Sequence, residues 1–277
     1  MNAYVKSLRA LVAAIPSKIL PRSVQTAEPK VRVPTQAFSE FLINRELGDW
    51  AERLVAAELE KAALALKSCG YGRNENLVAG DSGFKEHYLD YHHELRSLGK
   101  RPDLLVYRDH APPIEAFTKA NSPESIVLAS KAVAAFEVRS SKQSLGAGRS
   151  PAELSFTPKI EDIHNIMRWV EVHGVPHFYV QVVFGAVYAI SFERILEVLA
   201  RGKLKVDFKI ASAQKSQFKA TYYLPLTSGV CLSTAFVMPE LEAFSRKLSK
   251  GRILFGVKFA KGRAPFSAAV VKELLGL

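Results

Sequence analysis

At 277 residues, 48% hydrophobic and 23% charged, the chain is long enough to bury a substantial core and has the composition of a globular protein. No apolar run is long enough to span a bilayer, and the two cysteines, Cys69 and Cys231, are too far apart for a metal-binding spacing; both features fit a reducing cytoplasm and no membrane. The net charge of +11 is uneven: residues 1–34 carry +5, residues 35–200 carry −4 and residues 201–277 carry +10, which suggests a basic N-terminal arm, a mildly acidic core and a basic C-terminal region packed on it.

Residues 1–27 contain no acid and place Lys6, Arg9, Lys18 and Arg22 among small and aliphatic residues, a composition shared with organellar transit peptides. Pro16 and Pro21 interrupt that pattern, so an arm or helix packed on the core is expected, followed by a linker at Pro29 and Pro34. Residues 35–67 then read as a long helix with Leu54, Val55, Leu59, Ala62 and Leu66 on one stripe. Glu52 falls on the same side as that stripe, where a carboxylate is costly without a partner. It is either a salt bridge at the margin or an acid leaning over a sheet toward a cation.

Residues 69–72, Cys-Gly-Tyr-Gly, read as a stop and turn, and residues 76–82 as a short strand or loop. Residues 86–95 read as a helix ended near Gly99; its His87, His92 and His93 do not share a face, which argues against a zinc site. Two apolar strands follow, one opening Arg101-Pro102-Asp103-Leu104-Leu105-Val106-Tyr107 and the other running Val133-Ala134-Ala135-Phe136-Glu137-Val138-Arg139-Ser140-Ser141-Lys142. Between them, Pro112, Pro113 and Pro123 mark an excursion outside the core. Residues 146–151 form a polar loop, residues 159–173 an amphipathic helix, and residues 177–192 a strand-rich stretch, after which Ser191 caps another helix. In the tail, residues 204–210 alternate as a strand with lysines on one face, and residues 219–224 are placed to pair with it as a ribbon.

The chemistry concentrates on the two strands. Each carries one carboxylate at its edge, Asp103 and Glu137. Residues i and i+2 of a strand share a face, so Glu137 and Arg139 project together. If the strands pair, Asp103 and Glu137 converge on one hard cation and the guanidinium faces the anion that the cation holds, an arrangement suited to metal-assisted attack on a phosphodiester.

These residues resemble the PD-(D/E)XK nuclease superfamily, which includes most type II restriction endonucleases: Pro102-Asp103 and Glu137-Val138-Arg139 match its two half-motifs, and a helix with a glutamate, here Glu52, precedes them in the same order. The stretch from Phe136 to Phe192 resembles AccI-type enzymes. The chain departs from the pattern at Arg139, where the superfamily usually has lysine. Arginine holds its proton at any accessible pH and stabilises charge without serving as a base; Lys142 could take the lysine's place only through a bend after the strand.

The resemblance implies an α/β fold with a mixed central sheet flanked by helices. It also implies Mg²⁺ held by Asp103 and Glu137, with Glu52, Arg139 and Lys142 assisting, and cleavage of double-stranded DNA by a prokaryotic cytoplasmic homodimer at a near-palindromic site, leaving 5′-phosphate and 3′-hydroxyl ends. The basic ribbon of the tail then becomes a candidate for the major groove, with Lys203, Lys205, Lys209, Gln214, Lys215 and Lys219 as contacts; the plain alternative is the solvated face of an ordinary sheet. A junction resolvase or repair nuclease on the same fold, or a DNA-binding protein whose nuclease site has decayed, are the other readings.

Overall fold

The computed structural model describes residues 2–21, 33–63, 65–72, 77–145, 149–203, 207–212, 220–249 and 251–277. In chain order the elements are α1 (Ala3–Ala14), α2 (Ser39–Ala62), β1 (Leu66–Gly70), α3 (Phe84–Ser97), β2 (Leu104–Arg108), α4 (Pro123–Ala129), β3 (Ala134–Ser144), β4 (Ser155–Phe156), α5 (Ile160–His173), β5 (His177–Phe184), β6 (Ala186–Ser191), α6 (Phe192–Arg201), β7 (Lys209–Ser212), β8 (Ala220–Pro225), β9 (Val230–Ser233), β10 (Glu240–Lys247), β11 (Ile253–Ala260) and α7 (Ala268–Leu275). No described helix is long and apolar enough to cross a membrane.

A six-stranded sheet in the order β1-β2-β3-β5-β6-β9 forms the centre. It is mixed: β3 and β5 run parallel, joined through α5, and the other neighbours are antiparallel. Alternation along β3 divides the core between its faces. Ala134, Phe136 and Val138 pack with Leu54, Val55 and Leu59 of α2 and Phe259 of β11, while Ala135 packs with Trp169 and Val170 of α5 and Leu8 of α1. The mixed sheet flanked by helices is the fold class that the sequence implies. The apolar stripe of α5 (Ile160, Ile163, Ile166, Met167 and Val170) is fully buried, at about 1.5–3 kcal/mol for each large side chain.

Three sequence expectations are corrected. The long helix stops at Ala62, and Leu66 and Lys67 open β1, where they pair with Arg108 and Tyr107 of β2; Leu66 is buried as a strand residue and does not extend the helical stripe. Cys69 and Gly70 belong to the same strand, so the turn begins only at Tyr71. The proline-rich excursion returns to the core, because a 3-10 helix at Ile114–Phe117 buries Phe117 edge-on against Tyr71 with ring centroids 5.1 Å apart. The tail ribbon is present as β7 paired with β8, starting at Lys209, with residues 213–219 outside the described residues. A second ribbon, β10–β11, carries no clear alternation in sequence; it packs on α2, and Trp50 donates to the Lys261 carbonyl at 2.7 Å.

His177 opens β5 with no exposure, flanked by the rings of Trp169 and Phe192, and neither ring nitrogen has a partner among the described residues. Burial, and then the charge of Lys100, press its pKa from 6.5 to about 3. The folded value lies below the unfolded one, so the stabilisation is complete above about pH 6.5 and is lost as pH falls toward 3, at up to about 1.4 kcal/mol per pH unit. The unfolding midpoint of His177→Leu should therefore fall less than that of the wild type between pH 6.5 and 4. Parallel curves in a thermal titration would show that His177 ionises normally.

Candidate active site

The site is built from the turn that feeds β2. Gly99 has φ +85°, and a side chain there would run into the Asn165 carbonyl and lie 2.6 Å from the Trp169 nitrogen, so only glycine lets the chain pass this close to α5. The Lys100 backbone nitrogen donates to the Asn165 carbonyl at 3.0 Å, and its side chain turns under β3. Arg101 is fixed by a two-pronged pairing with Glu94 at 2.5 and 2.6 Å and stands over the Tyr71 ring. Asp103 is tied by its backbone to Phe136, Tyr71 and Gly72, and its Oδ2 accepts the Val138 N–H at 2.7 Å.

That last bond has a topological cause. β2 pairs with β3 only from Ala134 to Phe136, so from Glu137 onward β3 keeps β5 as its neighbour and presents an open edge on the other side. Asp103 caps the first N–H of that edge. Glu137 and Arg139 share the face toward α5, as their spacing requires. Arg139 Nη2 lies 2.6 Å from Glu137 Oε1 and 3.1 Å from Asp162 Oδ2, and Lys100 Nζ lies 2.6 and 3.0 Å from the same two oxygens. The Tyr179 hydroxyl donates to Asp162 Oδ2 at 3.3 Å. Two cations and two anions thus interlock, with Glu137 wholly buried and the Arg139 side chain 32% exposed.

Electrostatics separate the acids. Burial alone would raise the Asp162 carboxyl, but Lys100 and Arg139 outweigh it and hold the group at about 2. At Asp103 and Glu52 the neighbouring cations do not outweigh burial. Burial, and then repulsion from Glu137 and Glu52, raises Asp103 well above the carboxylate range; burial, and then Asp49 and Glu137, pushes Glu52 up to about 7. Glu52 comes from α2, across the open edge, and lines the same cleft as Asp103, Val138, Arg139, Ser140 and Lys159. The cleft is large, ≈ 1240 Å³, and is walled by α2 on one side and by Phe84, His87, Tyr88 and Tyr91 of α3 on another.

A cation fits this donor set. Among the described residues Glu137 Oε2 is buried with no hydrogen-bond partner, and Asp103 spends only Oδ2 on the backbone. Among the described residues no three or more His, Cys, Asp or Glu side chains group so as to hold a metal ion by themselves. Two carboxylates and solvent suit Mg²⁺, which keeps several waters.

Of the residues proposed from sequence, Glu52, Asp103, Glu137 and Arg139 come together here. Lys142 does not: it is exposed within an irregularity of β3 between Ser141 and Ser144 and lines a different concavity. Lys203 and Lys209 are exposed, whereas Lys205, Gln214, Lys215 and Lys219 lie outside the described residues. Sequence reading missed Lys100 and Asp162. The available signals were a lysine directly after a chain-reversing glycine in Gly99-Lys100-Arg101-Pro102-Asp103, and an acid inside the first turn of an apolar helix face.

Acidic and basic groups gathered at an open strand edge under a broad cleft form a site suited to a polyanion. A family model described as AccI restriction endonuclease matches residues 2–149 and 148–277. The chain belongs to the AccI restriction endonuclease family, and so to the type II restriction endonucleases. No curated protein and no solved structure matches it.

Proposed function

We propose that the protein cuts both strands of a specific, near-palindromic DNA sequence in a Mg²⁺-dependent reaction that leaves 5′-phosphate and 3′-hydroxyl ends. The observation that carries this reading is the state of Glu137: one oxygen is held by Lys100 and Arg139, and the other is buried, free of partners among the described residues and next to the strand edge that Asp103 caps. Asp103 and Glu137 hold the ion, which when bound supplies charge neutralisation at the phosphate and activation of water. Arg139, the more exposed cation, faces the phosphate and stabilises the charge that develops there. Lys100 pairs with the Glu137 carboxylate and orients it. Glu52 orients the attacking water from the cleft side. The water oxygen bonds to phosphorus, giving up a proton to solvent, as the bond to the 3′ oxygen breaks, and that oxygen leaves as the hydroxyl with a proton from solvent. One such site per chain and two antiparallel strands fit a homodimer on a two-fold target.

Digestion of unmethylated plasmid with and without Mg²⁺, with the ends mapped, tests the reading. Discrete fragments with 5′-phosphates only in Mg²⁺ are expected, and binding to the same DNA with no cutting in any divalent ion would overturn it. Binding should also weaken steeply between 50 and 200 mM salt, because phosphate contacts release counterions, by roughly 10³-fold if several are made. A flat salt dependence in an anisotropy titration would remove the polyanion reading.

A further inference from the structure

The strand that carries the catalytic pair does not end at the cleft. β3 gives Val138, Arg139 and Ser140 to the cleft and then Ser141, Lys142, Gln143 and Ser144 to a second concavity of ≈ 360 Å³, closed by Arg149. We propose that Lys142, Gln143 and Arg149 read base edges beside the bond that is cut. The proposal rests on the reading of this protein as a DNA-cleaving enzyme and assigns to these residues the choice of sequence, a role that the sequence pointed to in the tail ribbon.

Three observations carry it. First, the backbone here is held while the side chains are not. The Gln143 N–H donates to Ser141 Oγ at 3.1 Å and the Leu145 N–H to the Phe184 carbonyl at 2.7 Å, yet the side chains of Lys142, Gln143 and Arg149 make no hydrogen bond among the described residues, Arg149 being drawn only electrostatically toward Glu153. A fixed backbone presenting unspent donors and acceptors is pre-organised for an external partner. Second, the register irregularity between Ser141 and Ser144 breaks the alternation of the strand, so that Lys142, Gln143 and Ser144 are exposed consecutively. Irregularities of this kind re-aim side chains beside active sites.

Third, the spacing suits a short target. Gln143 lies four residues beyond Arg139, or at most about 13 Å, the reach of an uninterrupted strand. That is about four base-pair steps along one DNA strand. A phosphate at Arg139 would therefore leave bases up to about four steps away within reach of Gln143. The chemistry is that of base readout: a glutamine amide pairs with the N6 and N7 edge of adenine, and lysine or arginine with the O6 and N7 edge of guanine. Lysine and arginine alone would also serve as phosphate contacts. The neutral Gln143 between them is what favours bases.

The experiment is selection of duplexes with a randomised centre, bound by the full-length protein in Ca²⁺ and sequenced, for the wild type, Gln143→Ala, Gln143→Glu and Arg149→Ala. The wild type should enrich one motif. Gln143→Ala should relax one position of it by roughly 10–100-fold. Gln143→Glu should shift preference there toward cytosine, whose N4 amine a carboxylate can accept, and this change of base is a readout that a folding defect cannot mimic. Arg149→Ala should relax a different position. Variants that enrich the unchanged motif with uniformly weaker binding would show phosphate contacts only and overturn the proposal, as would a wild type that enriches no motif. A wild type that enriches a motif but cuts nothing in Mg²⁺ would overturn the nuclease reading and leave base reading to be decided by the variants.

Discussion

Asp103→Asn should lower single-turnover cleavage by about 10³-fold or more while leaving DNA affinity in metal-free buffer within a few-fold of wild type. The substitution is informative because it separates folding from chemistry. Among the described residues the Asp103 carboxylate has one structural duty, accepting the Val138 N–H through Oδ2, and an asparagine carbonyl oxygen can accept the same bond. What the amide cannot provide is the negative charge for a divalent ion. Replacing a carboxyl raised by burial and by two neighbouring acids with a neutral group also removes repulsion from Glu137 and Glu52, so the metal-free protein should unfold at the same temperature or slightly higher. Glu137→Gln should be equally inactive but less stable. Its Oε1 lies between Lys100 and Arg139, and a broken buried pair costs about 3–5 kcal/mol. Turnover near the wild-type rate in Asp103→Asn, measured at saturating Mg²⁺, would remove the residue from the site.

The two carboxylates were legible in the sequence because strand geometry is local. A period of two puts Glu137 and Arg139 on one face, and the proline before Asp103 marks a strand start, so pairing β2 with β3 is enough to bring the acids together. Helix α5 was legible for the same reason, through its apolar period. Lys100 and Asp162 were not, because 62 positions separate them and nothing local says that they meet. Their contact depends on the absence of a side chain at Gly99, which lets the turn pass against α5. Helix α2 was read too long because Leu66 continued its apolar stripe by coincidence of spacing, whereas the antiparallel pairing with β2 makes that residue a strand position. Pairing partners decide such cases, and partners are not written in a single segment.

The cations around Glu137 make the sharpest division of labour. Lys100→Met keeps the length and the packing of a side chain that is 13% exposed and removes only its charge. Because Lys100 does not line the cleft, its loss should appear in the single-turnover rate, by about 10²-fold or more, with affinity unchanged. Arg139→Ala should lower the rate at least as much and weaken DNA binding as well, since its guanidinium is the part of the cluster that reaches the cleft. Arg139→Lys should recover part of the loss, because one nitrogen of the guanidinium makes both contacts, to Glu137 and to Asp162, and an ammonium can take that place. Lys142→Ala should instead act on affinity and on the choice of sequence, its defect shrinking as protein concentration rises. The measurement is single-turnover cleavage of one mapped target across a protein titration, fitted for maximal rate and half-saturation. If Lys142→Ala lost maximal rate as Arg139→Ala does, or if Lys100→Met cut at the wild-type rate, the cation that serves Glu137 would have to be sought outside the buried cluster.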